Sequence, residues 1–376
     1  MAIYLDNAAT TLIDPAVLTA MLPYLTQLCG NPSSIHRYGC QAKSAVEKAR
    51  KKIAQLLNIA PAELVFTSGG TEGNNMLLRG IVEAKQIKHV LTSELEHLSV
   101  RMPLVQLAKQ GKLSVTYLPV DGKGTLAFDA IEKWLKRHPN ALVSFMHVNH
   151  EIGNITDIER MGLLCRQYGA YFHSDMVQSM YCFSHDFSAL PIQLAVGSGH
   201  KIHAPKGIGF VYIEAALSVE PLIYGGSQEL NRRGGTENVA YIVGLAQALE
   251  ITYRDRTKTV AHLLSIKQYM IALLKAYLPN VIFNGHSSDL TRSNPALLSI
   301  TLPGREDNDM LIHNLAIHGI AAASGSACSS GSAIASPVIA ALQGEANHAI
   351  RFSFSKYTTH EEIEKTVEIL RYLAER

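Results

Sequence analysis

Apolar and polar residues alternate along the first two thirds of the chain in a way that predicts strands separated by helices. Short runs rich in β-branched and aromatic residues are typical of buried strands, and apolar residues at helical spacing between them predict amphipathic helices. This order indicates a doubly wound, mostly parallel α/β sheet. The predicted strands are 63–67, 88–92, 114–119, 141–148, 170–175 and one ending at 213, with helices near 70–80, 98–110, 127–137 and 157–168.

After about residue 250 the pattern changes to fewer, shorter strands among long helices, which is typical of a smaller α+β domain. A helix is predicted over 260–274, strands over 281–284, 297–302 and 349–355, and helices from 309 and from 359. We therefore expect a large domain over 14–257 and a small domain over 258–376, joined by the N-terminal segment 1–13.

Composition narrows the class of protein. The 376 residues are 47% hydrophobic and 18% charged, with a net charge of +2, so nothing favours nucleic acid or an anionic membrane as a partner. No apolar run reaches the ~18 residues of a membrane span, and the N-terminus lacks a secretory pattern, so we expect a cytoplasmic protein. The five cysteines are scattered, which favours neither a disulfide framework nor a metal site.

The first candidate chemistry is a lysine and an acid, each at the end of a predicted strand. Asp175 closes one strand, and Lys201 lies 26 positions later, before the strand that ends at 213. A lysine amine forms a Schiff base with an aldehyde, and an acid can hold a pyridine nitrogen protonated, which is the pairing that pyridoxal phosphate requires. The alternative is a solvated lysine and an ordinary loop acid, and the rest of the chain must decide between them.

A second candidate is an anion site where the strand 63–67 passes into a helix. Gly69 and Gly70 precede Thr71, and free amides at a helix N-terminus bind phosphate. A plain turn with threonine as the helix cap explains this segment equally well. However, ligands collect at the carboxyl ends of parallel strands. The polar candidates expected at that edge are Thr71, His97, Asn149, His150, Glu151, Asp175, Gln178 and Lys201.

A third candidate is Cys328, which lies in a run of alanine, serine and glycine over 322–332. Such a run is too small and flexible to form a core, whereas free cysteines are usually buried. A cysteine in such a run is therefore unusual.

Together these segments resemble the cysteine desulfurases of the NifS/IscS type, within the class V aminotransferase-like, fold-type-I pyridoxal phosphate enzymes. The resemblance covers nearly the whole chain. It implies an enzyme that takes sulfur from L-cysteine, leaves L-alanine and carries the sulfur as a persulfide. The matching motifs are YLDNAATT (4–11), GNPSS (30–34), TSGGTE (67–72), EH (96–97), Asp175 with Gln178, SGHK (198–201), RGGT (233–236), SGSAC (324–328) and RFS (351–353).

The resemblance implies a role for each cofactor-binding residue. Lys201 would hold the cofactor as a Schiff base, Asp175 would pair with the pyridine nitrogen, and Gln178 would bond the phenolic oxygen. His97 would stack on the ring and move protons, and His150 would also contact the cofactor. The implied phosphate ligands are the amide of Gly70 together with Thr71, Ser198, His200 and, from a partner subunit of a homodimer, Thr236.

The remaining implied roles concern the substrate and the sulfur. Arg351 would clamp the carboxylate of L-cysteine, with Asn149 as a second substrate contact, and Cys328 would be the nucleophile that hands sulfur to an acceptor protein. The family usually has asparagine where this chain has His150. The chain also ends at Arg376, without the longer tail that some members use near their acceptor. The acceptor could therefore serve iron–sulfur assembly, tRNA thiolation or DNA phosphorothioation.

Other functions compete with the desulfurase. A class V aminotransferase or a selenocysteine lyase would use the same cofactor chemistry, but an aminotransferase would not require Cys328 and would form a keto acid instead of alanine. A cofactor-binding scaffold that docks a sulfur-transfer partner without turnover is the third alternative. The joint presence of Lys201, Asp175, His97 and Cys328 argues against a scaffold.

Overall fold

The structure is a computed structural model that describes residues 2–303, 308–324, 336–343 and 349–374. Cys328 lies outside the described residues, so its predicted role is a matter of sequence alone. No helix among the described residues is long and apolar enough to cross a membrane.

The largest element is a seven-stranded sheet. After the short strand β1 (Ile3–Tyr4), its strands are β2 (Leu64–Thr67), β3 (His89–Ser93), β4 (Ser114–Leu118), β5 (Leu142–Ser144), β6 (Tyr171–Asp175), β7 (Leu194–Ser198) and β8 (Gly209–Ile213). They lie in the order β2-β8-β7-β6-β5-β3-β4, and β8 runs antiparallel to both of its neighbours. The pairs from β7 to β4 are parallel, which confirms the predicted mostly parallel sheet.

Seven helices accompany this sheet. Asp14 begins the first of them, because its carboxylate accepts a hydrogen bond from the Ala16 amide at 2.8 Å and Pro15 occupies the first helical position. The helices are α1 (Pro15–Thr26), α2 (Arg37–Leu57), α3 (Gly70–Lys85), α4 (Leu98–Lys109), α5 (Phe128–Leu135), α6 (Ile158–Gln167) and α7 (Val239–Tyr277). Separate apolar clusters pack on the sheet, so strands such as β5, β7 and β8 are buried along their whole length.

The C-terminal part forms a smaller antiparallel sheet with helices. Strands β9 (Ile282–Phe283), β10 (Leu297–Thr301), β12 (Ala323–Ser324) and β13 (Ile350–Ser353) lie in the order β12-β13-β10-β9. The N-terminal strand β1 pairs with β11 (Ile320–Ala321), so the first residues of the chain join the C-terminal part. The helices here are α8 (Asn308–Ile317), α9 (Pro337–Gln343) and α10 (His360–Ala374).

Helix α7 runs without interruption across the expected boundary between residues 257 and 258, and the division into two domains stays a prediction. One detail differs from the sequence prediction. The strand predicted over 141–148 ends at Ser144. The amides of Phe145 and His147 still donate to the backbone oxygens of His173 and Asp175 in β6. The chain then turns back on itself, and Val148 pairs with Ile155.

Buried histidines lead to a first prediction, that acid destabilises the fold. Burial lowers the pKa to about 3 for His173 and His147 and to about 4 for His185 and His203. Because these values lie below the unfolded value of about 6.5, the unfolded chain binds more protons in between, and stability falls as the pH falls through that window. Each histidine is expected to remove roughly 2 kcal/mol from the free energy of unfolding between pH 7 and pH 5.

Denaturant titrations at several pH values measure this effect. His173→Asn removes a fully buried imidazole that bonds to Ser144 at 2.9 Å, so the variant should be less stable at pH 7 but lose stability less steeply on acidification. A wild-type stability that stays constant from pH 7 to pH 5 would contradict the prediction.

Candidate active site

The candidate residues meet in a cavity at the carboxyl edge of the large sheet. Its volume is about 180 Å³. Residues that follow β2, β3, β6 and β7 contribute to its wall, as expected for ligand sites in parallel sheets. The predicted site residues that line the cavity are Gly70, Thr71, His97, His150, Asp175, Gln178, Ser198, His200, Lys201 and Arg351.

Lys201 enters this cavity from a single 3₁₀ turn that directly follows β7. Its Nζ donates hydrogen bonds to the carbonyl oxygens of Ala8 and Ala9, the latter at 2.7 Å. Gln178 Nε2 donates to the same Ala8 oxygen at 3.0 Å. The small residues of the N-terminal motif therefore form a wall of the cavity against the lysine amine.

Asp175 is the last residue of β6, and its carboxylate is held from two sides. One oxygen accepts from the Val177 amide at 3.0 Å, and the other accepts from Asn74 Nδ2 at 2.7 Å. Asn74 is completely buried in α3 and also donates to Ser99 Oγ at 2.8 Å. Asn74 thus fixes the orientation of the acid, and sequence reasoning did not identify it.

The start of α3 has the form of an anion cradle. Gly69 has a φ of 151°, which only glycine adopts readily, and it places the amide of Gly70 at the helix N-terminus. A Cβ at Gly70 would lie 2.9 Å from Val177 Cγ2, so any side chain there would crowd the cavity. Ser198 Oγ is buried without a hydrogen-bond partner among the described residues. These features fit a bound phosphate group.

His200 lies beside this cradle and contributes an uncharged polar group. Burial, followed by the nearby charges of Lys201 and Lys206, lowers the pKa of His200 to about 4. Its Nδ1 lies 3.3 Å from Thr10 Oγ1. Near neutral pH the imidazole is therefore neutral, and it can donate one hydrogen bond without adding charge.

Two imidazoles line the cavity together. His97 caps the N-terminus of α4, with its Nδ1 3.1 Å from the Ser99 amide that donates to it. The ring of His150 meets the ring of His97 edge to face, with 5.1 Å between the centroids. Burial, and then the proximity of His150, lowers the pKa of His97 to about 4. His97 is consequently a neutral base at physiological pH.

Arg351 lies on β13 and is only 2% exposed, yet its guanidinium reaches the cavity. It donates to the backbone oxygen of His150 at 2.8 Å and to Asp6 Oδ1 at 2.9 Å, which fix the planar group in place. Its Nε has no hydrogen-bond partner among the described residues. A fixed guanidinium with unused donors suits a carboxylate ligand.

Three expected residues within the described part of the chain do not line the cavity: Asn149, Glu151 and Thr236. Asn149 donates to the Leu95 oxygen at 3.0 Å, and its own oxygen accepts from the amides of Glu151 and Ile152 at 2.9 Å. Its side chain therefore shapes the turn that carries His150, and the expected contact of Asn149 with substrate finds no support in this geometry. Thr236 is exposed on the surface of its own chain.

The described residues contain no group of three or more side chains that could hold a metal ion. The chemistry available at the cavity is that of an amine, an acid held beside it, an anion cradle, neutral imidazoles and a fixed guanidinium. This set fits pyridoxal phosphate, which carries an aldehyde, a pyridine nitrogen and a phosphate group.

Comparison with known proteins agrees with this geometry. The model of the family "Aminotransferase class-V" matches residues 3–366. A cysteine desulfurase, IscS, from Dictyoglomus turgidum (strain DSM 6724 / Z-1310) is 38% identical over 379 residues, which cover 100% of this chain and 95% of the relative. The solved structure of a NifS-like protein superposes with a TM-score of 0.91 at 31% identity and covers 99% of both chains. A structure of SspA in complex with cysteine has a TM-score of 0.80 at 29% identity, covering 95% of this chain and 99% of that one.

The fold and the cavity define a pyridoxal phosphate enzyme of fold type I, and the chain belongs to the class V aminotransferase family. Within that family it belongs with the cysteine desulfurases of the NifS/IscS type. The resemblance noted in the sequence motifs is thereby confirmed.

Proposed function

We propose that this protein is a pyridoxal phosphate-dependent cysteine desulfurase that converts L-cysteine to L-alanine and passes the sulfur to an acceptor protein. The observation that carries the proposal is one cavity in which Lys201, Asp175 and the anion cradle at Gly70 lie together with Arg351. Membership of the desulfurase family supports the same reaction. The expected cytoplasmic location stays a prediction.

The cofactor-binding residues have separate tasks in this proposal. When bound, pyridoxal phosphate supplies an electron sink for the bonds around the substrate Cα. Lys201 would bind the aldehyde carbon through its amine, and Asp175, oriented by Asn74, would pair with the pyridine nitrogen. Gln178 would hold the phenolic oxygen. The phosphate would be held by the Gly70 amide, Thr71, the unpartnered hydroxyl of Ser198 and the neutral imidazole of His200.

The substrate-binding residues orient L-cysteine against this group. Arg351 binds the carboxylate, and the neutral imidazole of His97 accepts and returns protons. The solved structure of SspA in complex with cysteine supports cysteine as a ligand of this fold. Because Arg351 is buried, water would be excluded from the bound carboxylate of L-cysteine. The ion pair between Arg351 and this carboxylate would then be stronger than in water.

The last task belongs to Cys328, which lies outside the described residues. We assign it the attack on the substrate sulfur, in which its thiolate forms an S–S bond as the substrate Cβ–Sγ bond breaks. The electron pair of the broken bond stays with the carbon skeleton, which is protonated to alanine, so no external oxidant or reductant is needed. An acceptor thiolate would then take the outer sulfur of the persulfide, with the Cys328 thiolate as the leaving group, for iron–sulfur assembly, tRNA thiolation or DNA phosphorothioation.

We also propose that the enzyme is a homodimer. Leu18, Leu22 and Leu25 form an exposed apolar stripe along one face of α1, and Ile35 is 98% exposed. Exposed apolar residues grouped in this way are typical of a protein interface. Thr236, which is exposed on its own chain, would then complete the phosphate site of the partner.

A spectral titration tests the proposed function. The purified protein with pyridoxal phosphate should be yellow, and L-cysteine should change its spectrum and, with a reductant present, release sulfide, whereas L-serine, which lacks the sulfur atom, should release none. Formation of a keto acid in place of alanine would identify an aminotransferase. A protein that stays colourless after incubation with pyridoxal phosphate would overturn the proposal.

Arg351→Ala is expected to raise the KM for cysteine while cofactor content stays close to wild type. The variant loses a charge-assisted pair in a nearly dry site, worth about 2 to 4 kcal/mol, which corresponds to a rise in KM of roughly 30-fold or more. Arg351→Lys keeps the charge without the planar fork of the guanidinium. Its KM should lie between those of the wild type and the alanine variant. An unchanged KM for cysteine in the alanine variant would show that Arg351 does not bind the substrate.

Thr236→Ala is expected to speed the loss of cofactor on dialysis without dissociating the dimer. The matched control is Thr257→Ala, because Thr257 is also an exposed threonine but lies on α7 away from the cavity. Light scattering measures the oligomeric state, and absorbance measures the retained cofactor. A monomer with full activity at the assay concentration would contradict both the dimer and the role of Thr236.

A further inference from the structure

Residues 229–231 form a backbone turn that is unfavourable for the residue types it contains. Glu229, Leu230 and Asn231 have φ values of 46°, 58° and 64°, so three consecutive residues with side chains lie in the left-handed region. Glycine adopts that region easily, whereas in other residues the Cβ atom comes too close to a carbonyl oxygen. Leu230 is 55% exposed, so burial of its side chain does not hold the turn. Other contacts must therefore support this conformation.

A buried ion pair supplies that support. The Glu229 carboxylate accepts two hydrogen bonds from the Arg50 guanidinium, at 2.9 Å and 2.7 Å, and the side chains are 2% and 5% exposed. Glu229 also accepts from the amide of Phe66 at 2.8 Å, and Arg50 donates to the Leu64 oxygen at 2.8 Å. Both backbone groups belong to β2, the first strand in the order of the large sheet. The pair thus binds the turn firmly to β2, because separating two buried charges is strongly unfavourable.

The loop that follows the turn is attached to the anion cradle of the same chain. Arg233 donates to both carboxylate oxygens of Glu72, in the first turn of α3, at 2.9 Å and 3.4 Å. The Gly234 amide donates to the Ile223 oxygen at 2.9 Å and closes the base of the loop. Thr236 follows two positions later. Its location is therefore set by these contacts and by the turn that precedes them.

We propose that Glu229 is a positioning residue, whose pair with Arg50 holds the strained turn and thereby fixes the loop 227–236 that offers Thr236 to the partner subunit. The role of the loop at the cofactor phosphate rests on the proposed function, whereas the support of the turn is a property of the chain itself. A loop that is already ordered does not lose conformational entropy when the subunits and the cofactor come together. Glu229 in this way slows the loss of cofactor without touching it.

Two variants of Leu230 test the strain in the turn. Leu230→Gly removes the exposed side chain together with the strain, whereas Leu230→Ala removes most of the same side chain and keeps the strain. The glycine variant should therefore unfold at a higher denaturant concentration than the alanine variant. Equal unfolding midpoints would overturn the inference.

Glu229→Gln tests the support of the loop, because it keeps the shape of the side chain and removes its charge. Dialysis of the holoenzyme should remove cofactor faster from this variant than from the wild type. The double variant with Thr236→Ala should lose cofactor no faster than the faster single variant, since both changes act at one contact. Arg50→Lys takes the place of Glu229→Gln if that variant does not fold. Glu47→Gln is the matched control, because Glu47 also pairs with Arg50 but is 46% exposed, and it should keep the wild-type rate.

The glycine variant also distinguishes positioning from a general loss of stability. Leu230→Gly added to Glu229→Gln should slow cofactor loss again, by up to roughly tenfold, the equivalent of one left-handed residue with a side chain. Leu230→Ala should not. Cofactor losses that add up in the double variant with Thr236→Ala, or an absence of rescue by glycine, would overturn the inference.

Hydrogen exchange over residues 223–236 of the purified chain separates this inference from the proposed function. Exchange should be faster in Glu229→Gln than in the wild type, and slower again once Leu230→Gly is added. Unchanged exchange in a folded Glu229 variant overturns the inference even if cysteine is turned over. Faster exchange together with faster cofactor loss, in a protein that does not turn over cysteine, upholds the inference and overturns the proposed function.

Discussion

Cys328→Ser is expected to retain the bound cofactor and its yellow colour, while sulfide release and protein-bound persulfide fall to background. The cofactor chemistry polarises the Cβ–Sγ bond of the substrate, but a thiolate must take the sulfur as it leaves. A serine hydroxyl is a far weaker nucleophile near neutral pH. The variant should therefore still bind L-cysteine, seen as a spectral change, without releasing its sulfur.

The other cysteines provide the controls for this experiment. Burial raises the pKa to about 12 for both Cys165 and Cys182, which leaves them almost wholly protonated. Cys29 and Cys40 are exposed, so their thiols are accessible. Cys40→Ser tests whether the Cys40 thiol takes part in turnover, and it should keep wild-type sulfide release. Wild-type turnover in Cys328→Ser, or a persulfide found by mass spectrometry on a different cysteine, would show that the nucleophile is assigned wrongly.

Lys201→Ala is expected to abolish both the visible absorbance and the turnover of cysteine. The lysine amine is the group that can condense with the aldehyde, and its Nζ already lies against the Ala8 and Ala9 oxygens in the cavity wall. The rate of alanine formation should fall by several orders of magnitude, because the amine that would anchor the cofactor and exchange it for the substrate is lost. Absorbance spectra and an alanine assay measure the two effects.

Lys201→Arg is the matched control for this change, since it keeps the positive charge but cannot form a Schiff base. It should be as inactive as the alanine variant. Lys206→Ala removes an exposed lysine close in sequence and should keep the wild-type spectrum. A yellow, active Lys201→Ala protein would show that the cofactor binds at a different site.

Much of the active site could be predicted from sequence because each residue is placed by local structure. Asp175 ends β6, His97 caps the helix after β3, and Lys201 follows β7 within one turn. Once parallel strands are recognised, their carboxyl ends must meet at one edge. The pattern therefore places these side chains together without any knowledge of long-range contacts.

The supporting partners could not be predicted in the same way. The bond from Asn74 to Asp175 spans 101 positions, and the pair of Arg351 with Asp6 spans 345. Neither Asn74 nor Asp6 stands in a local pattern that specifies its partner, because these contacts depend on how β1 and α3 pack against distant strands. The same is true of α7, whose unbroken course follows from packing against α1, α2 and α10 rather than from a local signal at residue 257.

The desulfurase reaction is tested most directly by the products of a single incubation. Purified wild-type protein with pyridoxal phosphate is mixed with an equimolar amount of L-cysteine and no added reductant, and alanine is measured together with the persulfide on a peptide that contains Cys328. We expect alanine and persulfide in equal amounts, with sulfide released from the protein only when a reductant is added. A keto acid in place of alanine, or alanine without any persulfide on Cys328, would contradict the proposed desulfurase mechanism.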